Sequence, residues 1–300
     1  MAMCLYQKMN RILAALALMV GLLFVPSVYA GVGMLQEGEN LYLSDLQFSG
    51  GNSSWDVQRN KIPSNCKRKN LSLIQGYEYG YSYFHTIFAN ATFAYRHCGQ
   101  MNRAAPGAVP GATSLSGLGD LEVGVRTRFN HQNTAAWEAL LIIPTGYDNN
   151  SPLRLGRGAL GLGLGVLFAS RKRSIAESPW GWELGSRFTY FFSGKGNTLR
   201  SFATVNYAFS DSNFEQSGDF MSLSLIYNVR FARNGLQQNI FVNQVPSSIT
   251  NSDLTKIELG YSHAFGNGWS TSLRGAKGIF GRNSPINYIA GWGISYRWRD

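Results

Sequence analysis

The sequence predicts an all-β protein, a transmembrane antiparallel β-barrel of an outer membrane with about 12 strands (12–14). Three observations predict this fold: residues alternate between apolar and polar with a period of two, most alternating segments are ten to thirteen residues long, and aromatic residues recur on their apolar faces. Transmembrane barrel strands need about 9–11 residues, whereas strands of soluble proteins average about 5–6. We expect Trp269 and Trp298 at one end of the barrel, in an interfacial aromatic girdle.

The stretch GLGDLEVGVRTRF, residues 117–129, illustrates the alternation. Leu121 and Val123 alternate with Glu122 and Gly124, and successive strand side chains point to opposite faces. A secreted β-sandwich would also alternate. Here, however, the faces opposite the aromatic residues carry Gly, Ser, Thr and Asn with scattered charges, which favours a polar lumen and an apolar outer face in lipid. The sheet must close because lipid cannot satisfy a free strand edge.

Twelve alternating segments follow one another along the chain. They lie at 71–79, 87–96, 117–129, 137–143, 160–168, 182–192, 199–209, 221–231, 236–245, 257–265, 269–274 and 288–298. Leu41–Ser49 is a candidate thirteenth strand, and Leu236–Val245 is the weakest of the twelve. Outer-membrane barrels alternate short periplasmic turns with longer extracellular loops. When the connections are counted back from a periplasmic C-terminus, 130–134 is short where a long loop is expected, and 147–157 is long where a short turn is expected. This mismatch indicates a miscounted strand.

The N-terminus has the features of an export signal. Lys8 and Arg11 precede the apolar run Ile12–Val25, and Val28-Tyr29-Ala30 resembles a cleavage site. The run is shorter than the about 20 residues of a transmembrane helix, so we expect cleavage after Ala30. The predicted organisation is a signal peptide over 1–30, an N-terminal segment over 31–69 that is either a plug or the first strand, and a barrel over 70–300.

Export also limits the partners. The chain carries a net charge of +10; removing the signal, with its two basic residues, leaves 25 basic against 17 acidic residues, a net charge of +8. We expect contact with outer-membrane lipid and lipopolysaccharide headgroups rather than nucleic acid, with Lys67–Lys69 and Arg171–Arg173 at the membrane rim. The other expected partners are a small-molecule permeant and the barrel-assembly machinery during insertion. The location expected is the outer membrane of a Gram-negative cell.

Two cysteines remain after signal cleavage, Cys66 and Cys98. Both lie about equally far from the turn predicted within Tyr79–Phe84, so a hairpin would bring them to the same open end. In an oxidising compartment this arrangement favours a disulfide over two free thiols.

Three short motifs resemble the outer-membrane "meta-pathway of phenol degradation" family. They are Tyr79-Gly80 in YEYGYSYFHTIFANATFAY, Gly117–Leu121 with Gly124 in GLGDLEVGVRTRF, and Pro144-Thr145-Gly146 in LLIIPTGYDN. The resemblance covers about residues 70–210. It implies a β-barrel related to channels for hydrophobic compounds, often found beside systems that degrade aromatic molecules.

The polar faces supply the candidate lumen residues. The acids are Glu78, Asp120, Glu122, Glu138, Glu183 and Glu258, and the bases are Arg96, Arg126, Arg128, Arg187, Arg200, Arg230, Lys256 and Arg274. They form either a charged constriction that selects permeants or cross-strand salt bridges that fill and stiffen a narrow barrel; both hypotheses stay open. Gly161, Gly163 and Gly165 leave space for a neighbouring tyrosine or for a folded N-terminal segment.

The sequence therefore predicts an outer-membrane channel for passive diffusion of small, hydrophobic or aromatic molecules, through the lumen or a lateral gap in the wall. One alternative is a structural or adhesive barrel with a plugged lumen. The other is a lipid-modifying enzyme, which is disfavoured because none of the four histidines has a serine two residues later: His85, His97, His131 and His263. We expect no catalytic residue, metal or cofactor.

Overall fold

The computed structural model describes residues 34–100, 113–129, 134–146, 155–170, 178–192, 196–209, 217–231 and 251–299. Within them the chain forms twelve strands. These are β1 (Glu39–Trp55), β2 (Lys61–Gly80), β3 (His85–Gln100), β4 (Thr113–Arg128), β5 (Ala135–Ile143), β6 (Gly161–Ala169), β7 (Trp180–Phe191), β8 (Thr198–Ala208), β9 (Ser217–Arg230), β10 (Ser252–Phe265), β11 (Trp269–Arg282) and β12 (Ser284–Arg299).

The twelve strands form one closed antiparallel barrel. Each strand pairs with its neighbours in sequence, and β1 closes the sheet by pairing with both β2 and β12. Closure leaves no unpaired strand edge along the wall. The predicted fold class is thus confirmed, at twelve strands. Among the described residues, no helix is long and apolar enough to cross a membrane.

The outward face of the barrel is apolar. On β6, Leu162 and Leu164 are 43% and 56% exposed, while Gly161 and Gly163 are buried on the inner face. Every strand carries at least one exposed large apolar side chain of this kind. A continuous apolar surface of that extent suits lipid rather than water.

An aromatic girdle surrounds the end of the barrel where the chain terminates. The ring centroids of Trp269 and Tyr296 are 4.5 Å apart, and Tyr296 stacks on Trp298 at 5.2 Å. Tyr77 continues the girdle, 6.3 Å from Trp298. The expectation that Trp269 and Trp298 lie at the same end is confirmed, and their position is that of interfacial aromatic residues.

The two ends of the barrel differ in the length of their connections. We call the end where Glu39 pairs with Arg299 the terminus end, and the other the loop end. The three longest connections, 101–112, 144–160 and 231–251, all lie at the loop end. Because outer-membrane barrels have short periplasmic turns and longer extracellular loops, the terminus end faces the periplasm.

The strand count from sequence needs one correction. Leu236–Val245 lies outside the described residues, but β9 pairs directly with β10, which leaves no place for a strand between them. The twelfth strand is instead β1, which contains the candidate Leu41–Ser49. With β1 counted in place of Leu236–Val245, the short connection 130–134 lies at the terminus end and the long connection 147–157 lies at the loop end, as expected for an outer-membrane barrel. Strand β1 and the start of β2 both lie in the segment 31–69.

The cysteine positions are close in the sheet. Cys66 on β2 is opposite Gln100 on β3, and Cys98 is opposite Arg68. The two cysteines are therefore diagonal neighbours in adjacent strands, at the loop end. The disulfide stays a prediction.

Candidate functional site

A network of ion pairs crosses the lumen between β2 and β7. Arg126 lies 3.2 Å from Glu78 and 3.6 Å from Glu138. Arg187 lies 2.6 Å from the other carboxylate oxygen of Glu138 and 3.2 Å from Glu122. The shared side chain of Glu138 is only 4% exposed. The structure thus brings five candidate residues from four strands into one network that fills this side of the lumen.

Apolar side chains fill the space beside this network. Phe88, Leu140 and Phe191 are buried on the inner face and form one cluster. A Cβ on Gly161 would lie 2.9 Å from the Phe191 ring, and one on Gly163 would lie 2.9 Å from Leu140. The expectation that a tyrosine or the N-terminal segment occupies this space was wrong, because the inward residues of β5 and β7 are large enough to cover the glycines of β6.

At the terminus end, residues 34–38 fold into the mouth of the barrel. The Leu35 amide donates a hydrogen bond to Thr86 Oγ1 on β3 at 3.2 Å. The Arg128 guanidinium on β4 donates to the carbonyls of Met34 and Leu35, at 3.1 and 3.0 Å. A buried arginine therefore holds the backbone of this segment, which we call the N-terminal strap.

The strap reaches well across the mouth. It leaves the wall at β1, yet the buried side chain of Met34 packs against Ala136 of β5 and Leu167 of β6. On the way, the Gly38 amide donates to the Gly80 carbonyl at 2.9 Å. Because β5 and β6 stand four and five strands away from β1 around the wall, the strap narrows the periplasmic opening.

At the loop end, a second segment turns inward against β3 and β4. The Asp120 carboxylate accepts hydrogen bonds from the backbone amides of Arg157 and Gly158. Arg96 donates to the Leu155 carbonyl at 3.3 Å, and Leu155 is 5% exposed. These two candidate residues therefore anchor the end of the 144–160 connection inside the barrel.

The three motifs of the family resemblance surround these two segments. A Cβ on Gly80 would lie 1.9 Å from the Gln36 carbonyl oxygen, so only glycine lets the strap approach. A Cβ on Gly119 would lie 3.1 Å from the Leu155 carbonyl oxygen. The Thr145 hydroxyl donates to the Gly119 carbonyl at 2.8 Å. The motifs therefore have a local structural reason: they seat the chain inside the barrel at both ends.

Charged side chains on the inner face of β8 and β10 lie outside the ion-pair network. Arg200 is directly opposite Arg187 in the register, and it is exposed although the wall surrounds it. It interacts electrostatically with two cations, Arg187 and Arg274, and with two carboxylates, Glu122 and Glu258. Lys256 interacts with the same Glu258 and with Arg200. Solvent therefore reaches the lumen here.

Arg274 lies along the wall on β11 instead of crossing the lumen. Its guanidinium pairs with Asp45 on β1, and a Cβ on Gly291 would meet the Arg274 Nε at 2.6 Å. The glycine thus provides the room in which the arginine lies flat. Arg274 and Glu122 keep 31% and 33% of their side-chain surface exposed, as expected beside an open passage.

Two candidate residues stand apart from these groups. Glu183 on β7 is buried, and Asn206 donates to it at 3.5 Å. Arg230 ends β9 at the loop end, where a Cβ on Gly196 would lie 3.2 Å from its Nε.

The sequence analysis missed several lumen acids. Asp45 pairs with Arg274, and Glu39 lies 2.7 Å from Arg297. Both acids belong to β1, whose inward positions are charged in the same alternating way; counting β1 as a full strand would have identified them. Asp253, 3% exposed, lies 3.3 Å from Arg282 at the loop end. It comes before the alternating segment 257–265, so the sequence pattern did not include it.

The described residues include no group of three or more His, Cys, Asp or Glu side chains that could hold a metal ion. His263 forms a 2.9 Å hydrogen bond with Asp219, and its register partner on β11 is Thr271. His131 lies outside the described residues. The expectation that the protein is not an enzyme stays a prediction.

Comparisons with known proteins agree with the barrel. No protein-family model and no curated protein matches the sequence. The fold is similar to an outer membrane channel from Pseudomonas putida F1, with a TM-score of 0.69 and 14% identity over 91% of this chain and 100% of that one. It is also similar to the beta domain of the Bordetella autotransporter BrkA, with a TM-score of 0.50 and 11% identity over 87% and 100% of the two chains.

The chain folds as an outer-membrane β-barrel. At such low identities the likeness shows the fold alone, but the exposed apolar face and the aromatic girdle are independent observations on this chain. A closed sheet with that surface belongs in lipid, so the protein is located in the outer membrane. The resemblance to the phenol-degradation family stays a prediction.

Proposed function

We propose that the protein is an outer-membrane channel through which small molecules diffuse passively. The observation that carries this proposal is the exposure of charged side chains inside a closed barrel, at Arg200, Glu122 and Arg274. Water in contact with these groups forms part of a path between the two ends. The similar fold of a protein described as an outer membrane channel supports the same function.

We propose hydrophobic or aromatic molecules as the permeants. The family resemblance supports this class, and so does a groove of about 280 Å³ on the lipid-facing wall over β10 to β12. Leu259, Leu273 and Ala290 line the groove together with the inward Gly260 and Gly291. Small residues on both sides of the wall make this groove a candidate place for a lateral route.

Solute flux tests the channel. The mature protein is folded into liposomes, and the uptake of anionic aromatic, cationic aromatic and sugar probes is compared with empty vesicles. Small phenols cross lipid unaided, so bulkier or charged aromatic probes carry the information. Faster uptake of aromatic probes than of sugars supports the proposal, and no uptake of any probe by a correctly folded barrel contradicts it.

The N-terminal strap and the inward segment of the 144–160 connection favour a second candidate, a structural or adhesive barrel with a plugged lumen. Hydrogen bonds fix both segments: the buried Arg128 donates to the backbone of the strap, and the half-buried Asp120 carboxylate accepts from the backbone of the inward segment. Loosening the strap separates the two functions. A channel with a partial plug will conduct better without it, whereas a barrel that the ion-pair network also closes will not conduct either way.

We also propose that the outer surface contacts lipopolysaccharide. Lys67 and Lys69 are exposed at the loop end of β2, in line with the outward Leu71 and Leu73. Their ammonium groups extend the apolar face towards the extracellular side, where lipid phosphates lie. The barrel-assembly machinery remains the expected partner during insertion.

A further inference from the structure

Arg200 is a lumen arginine with no carboxylate within ion-pair distance. It projects from the inner face of β8 and is exposed to the lumen. Among the residues that the structure describes, its side chain forms neither an ion pair nor a hydrogen bond. An arginine keeps its charge at every physiological pH, so a full positive charge stands in the passage.

The residue directly opposite Arg200 is also a cation and cannot pair with it. Arg187 is directly opposite in the register, on the same face of adjacent strands. Its own charge is already engaged by Glu138 and Glu122. Two like charges in directly opposite positions destabilise a strand pair, and an anion bound between them removes that repulsion.

A second cation lies on the same side of the lumen. Lys256 interacts electrostatically with Arg200 and with Arg274, and Arg274 itself is paired with Asp45. Glu258 is the carboxylate that interacts with both Arg200 and Lys256, and it lies more than 4.0 Å from each. Glu122 and Glu258 act on Arg200 from beyond ion-pair distance, so neither occupies the hydrogen-bonding positions of its guanidinium, which faces solvent.

We propose that Arg200 and Lys256 bind the carboxylate of small organic anions in transit, and that the channel prefers carboxylate-bearing permeants. This inference rests on the channel function proposed above and names the charge class of its permeants. A guanidinium matches a carboxylate through two parallel hydrogen bonds, and charged side chains lining a pore set the sign of the ions that pass. Because Arg200 is the one arginine of this described site without an ion pair, the site holds an anion weakly enough to release it.

The test measures selectivity in the full mature barrel. Reversal potentials in planar bilayers under a potassium chloride gradient give the ratio of anion to cation permeability. Liposome uptake then compares phthalate and succinate with inorganic phosphate and with benzyltrimethylammonium, a cation similar in size to phthalate. The variants are Arg200→Gln and Lys256→Gln, and the matched control is Lys69→Gln, which removes one charge from the outer surface instead of the lumen.

We expect wild-type protein to take up phthalate and succinate faster than benzyltrimethylammonium, and Arg200→Gln to reduce this preference about tenfold, as loss of a unit charge a few ångströms from the permeant predicts. Lys69→Gln should leave the preference unchanged. Phosphate taken up as fast as the carboxylates would overturn the carboxylate assignment. If Arg200→Gln does not fold, judged by heat-modifiable gel mobility, Lys256→Gln tests the same site.

Failure of this inference differs from failure of the channel proposal. Flux without anion preference in wild-type protein, or a preference that survives both lumen variants, contradicts the anion site and leaves the channel intact. The absence of all flux, in wild-type protein and with the strap loosened, contradicts both.

Discussion

Replacing Gly80 by alanine should release the N-terminal strap. The added Cβ would lie 1.9 Å from the Gln36 carbonyl oxygen, so the strap must retreat by about 1 Å or more to reach an ordinary contact. That movement takes the two hydrogen bonds from Arg128, now 3.1 and 3.0 Å long, beyond the range of about 3.2 Å in which they are strong.

The cost follows from those two bonds. A hydrogen bond from a charged group stabilises by about 1.5–3 kcal/mol, so their loss amounts to about 3–6 kcal/mol. Each 1.4 kcal/mol is a factor of about ten, and the ratio of docked to released strap therefore falls about a hundredfold or more. A strap released to this extent no longer narrows the periplasmic mouth.

Single-channel conductance in planar bilayers checks this prediction, together with the rate at which Met34→Cys reacts with a membrane-impermeant maleimide. Gly80→Ala should raise both quantities. The control is Gly275→Ala, since a Cβ there meets no atom within 4 Å. If Gly80→Ala matches this control in conductance and in labelling rate, the strap is not the constriction and the reasoning fails.

Three further predictions address the scaffold. Oxidised protein should show no alkylation of Cys66 or Cys98 before reduction, and reduction should lower the free energy of unfolding by about 4 kcal/mol on the chain-entropy model; free thiols in the folded, unreduced protein would contradict the disulfide. Glu138→Gln should destabilise the barrel by about 1.5–3 kcal/mol because it removes the charge of the buried carboxylate that Arg126 and Arg187 share, visible as a lower temperature of gel-mobility change, whereas the exposed Glu37→Gln should have no effect. Asp120→Asn should weaken the hold on the inward segment of the 144–160 connection and speed its cleavage by added protease, with unchanged cleavage as the contrary result.

Strands were predictable from the sequence where apolar and polar residues alternate over their full length. Eleven of the twelve alternating segments lie in strands of the barrel, because lipid and lumen select opposite side chains at every second position. Alternation also marked Leu236–Val245, which lies outside the described residues, and alternation alone cannot show whether a segment finds a partner in the sheet. The partner of β10 is decided by the register of β9, which no local pattern contains.

Contacts between distant backbones were also beyond prediction. Gly80 and Asp120 stood out as parts of motifs, but their partners are the Gln36 carbonyl and the Arg157 amide, in segments with no regular pattern of their own. Such contacts depend on where two chain segments meet inside the closed barrel. The charged lumen candidates can be listed from the sequence. Which of these charges form ion pairs depends on the register of the strands.

The distribution of ion pairs bears on both lumen hypotheses, which the sequence left open as alternatives. Eight-stranded barrels are filled by their own side chains, and barrels of 16–18 strands leave an aqueous channel; a twelve-stranded barrel lies between these limits, so its side chains determine whether a passage remains. Here Glu138 and Arg126 are 4% and 13% exposed, while Glu122 and Arg274 keep about a third of their surface in contact with solvent. The salt bridges therefore fill one side of the lumen between β2 and β7, and Arg200, which forms no ion pair, stands on the side that stays open. A rigid, filled wall on one side holds Arg187 and, through the register, positions Arg200 in the passage, so a structural role and the proposed selective role would belong to two parts of one lumen.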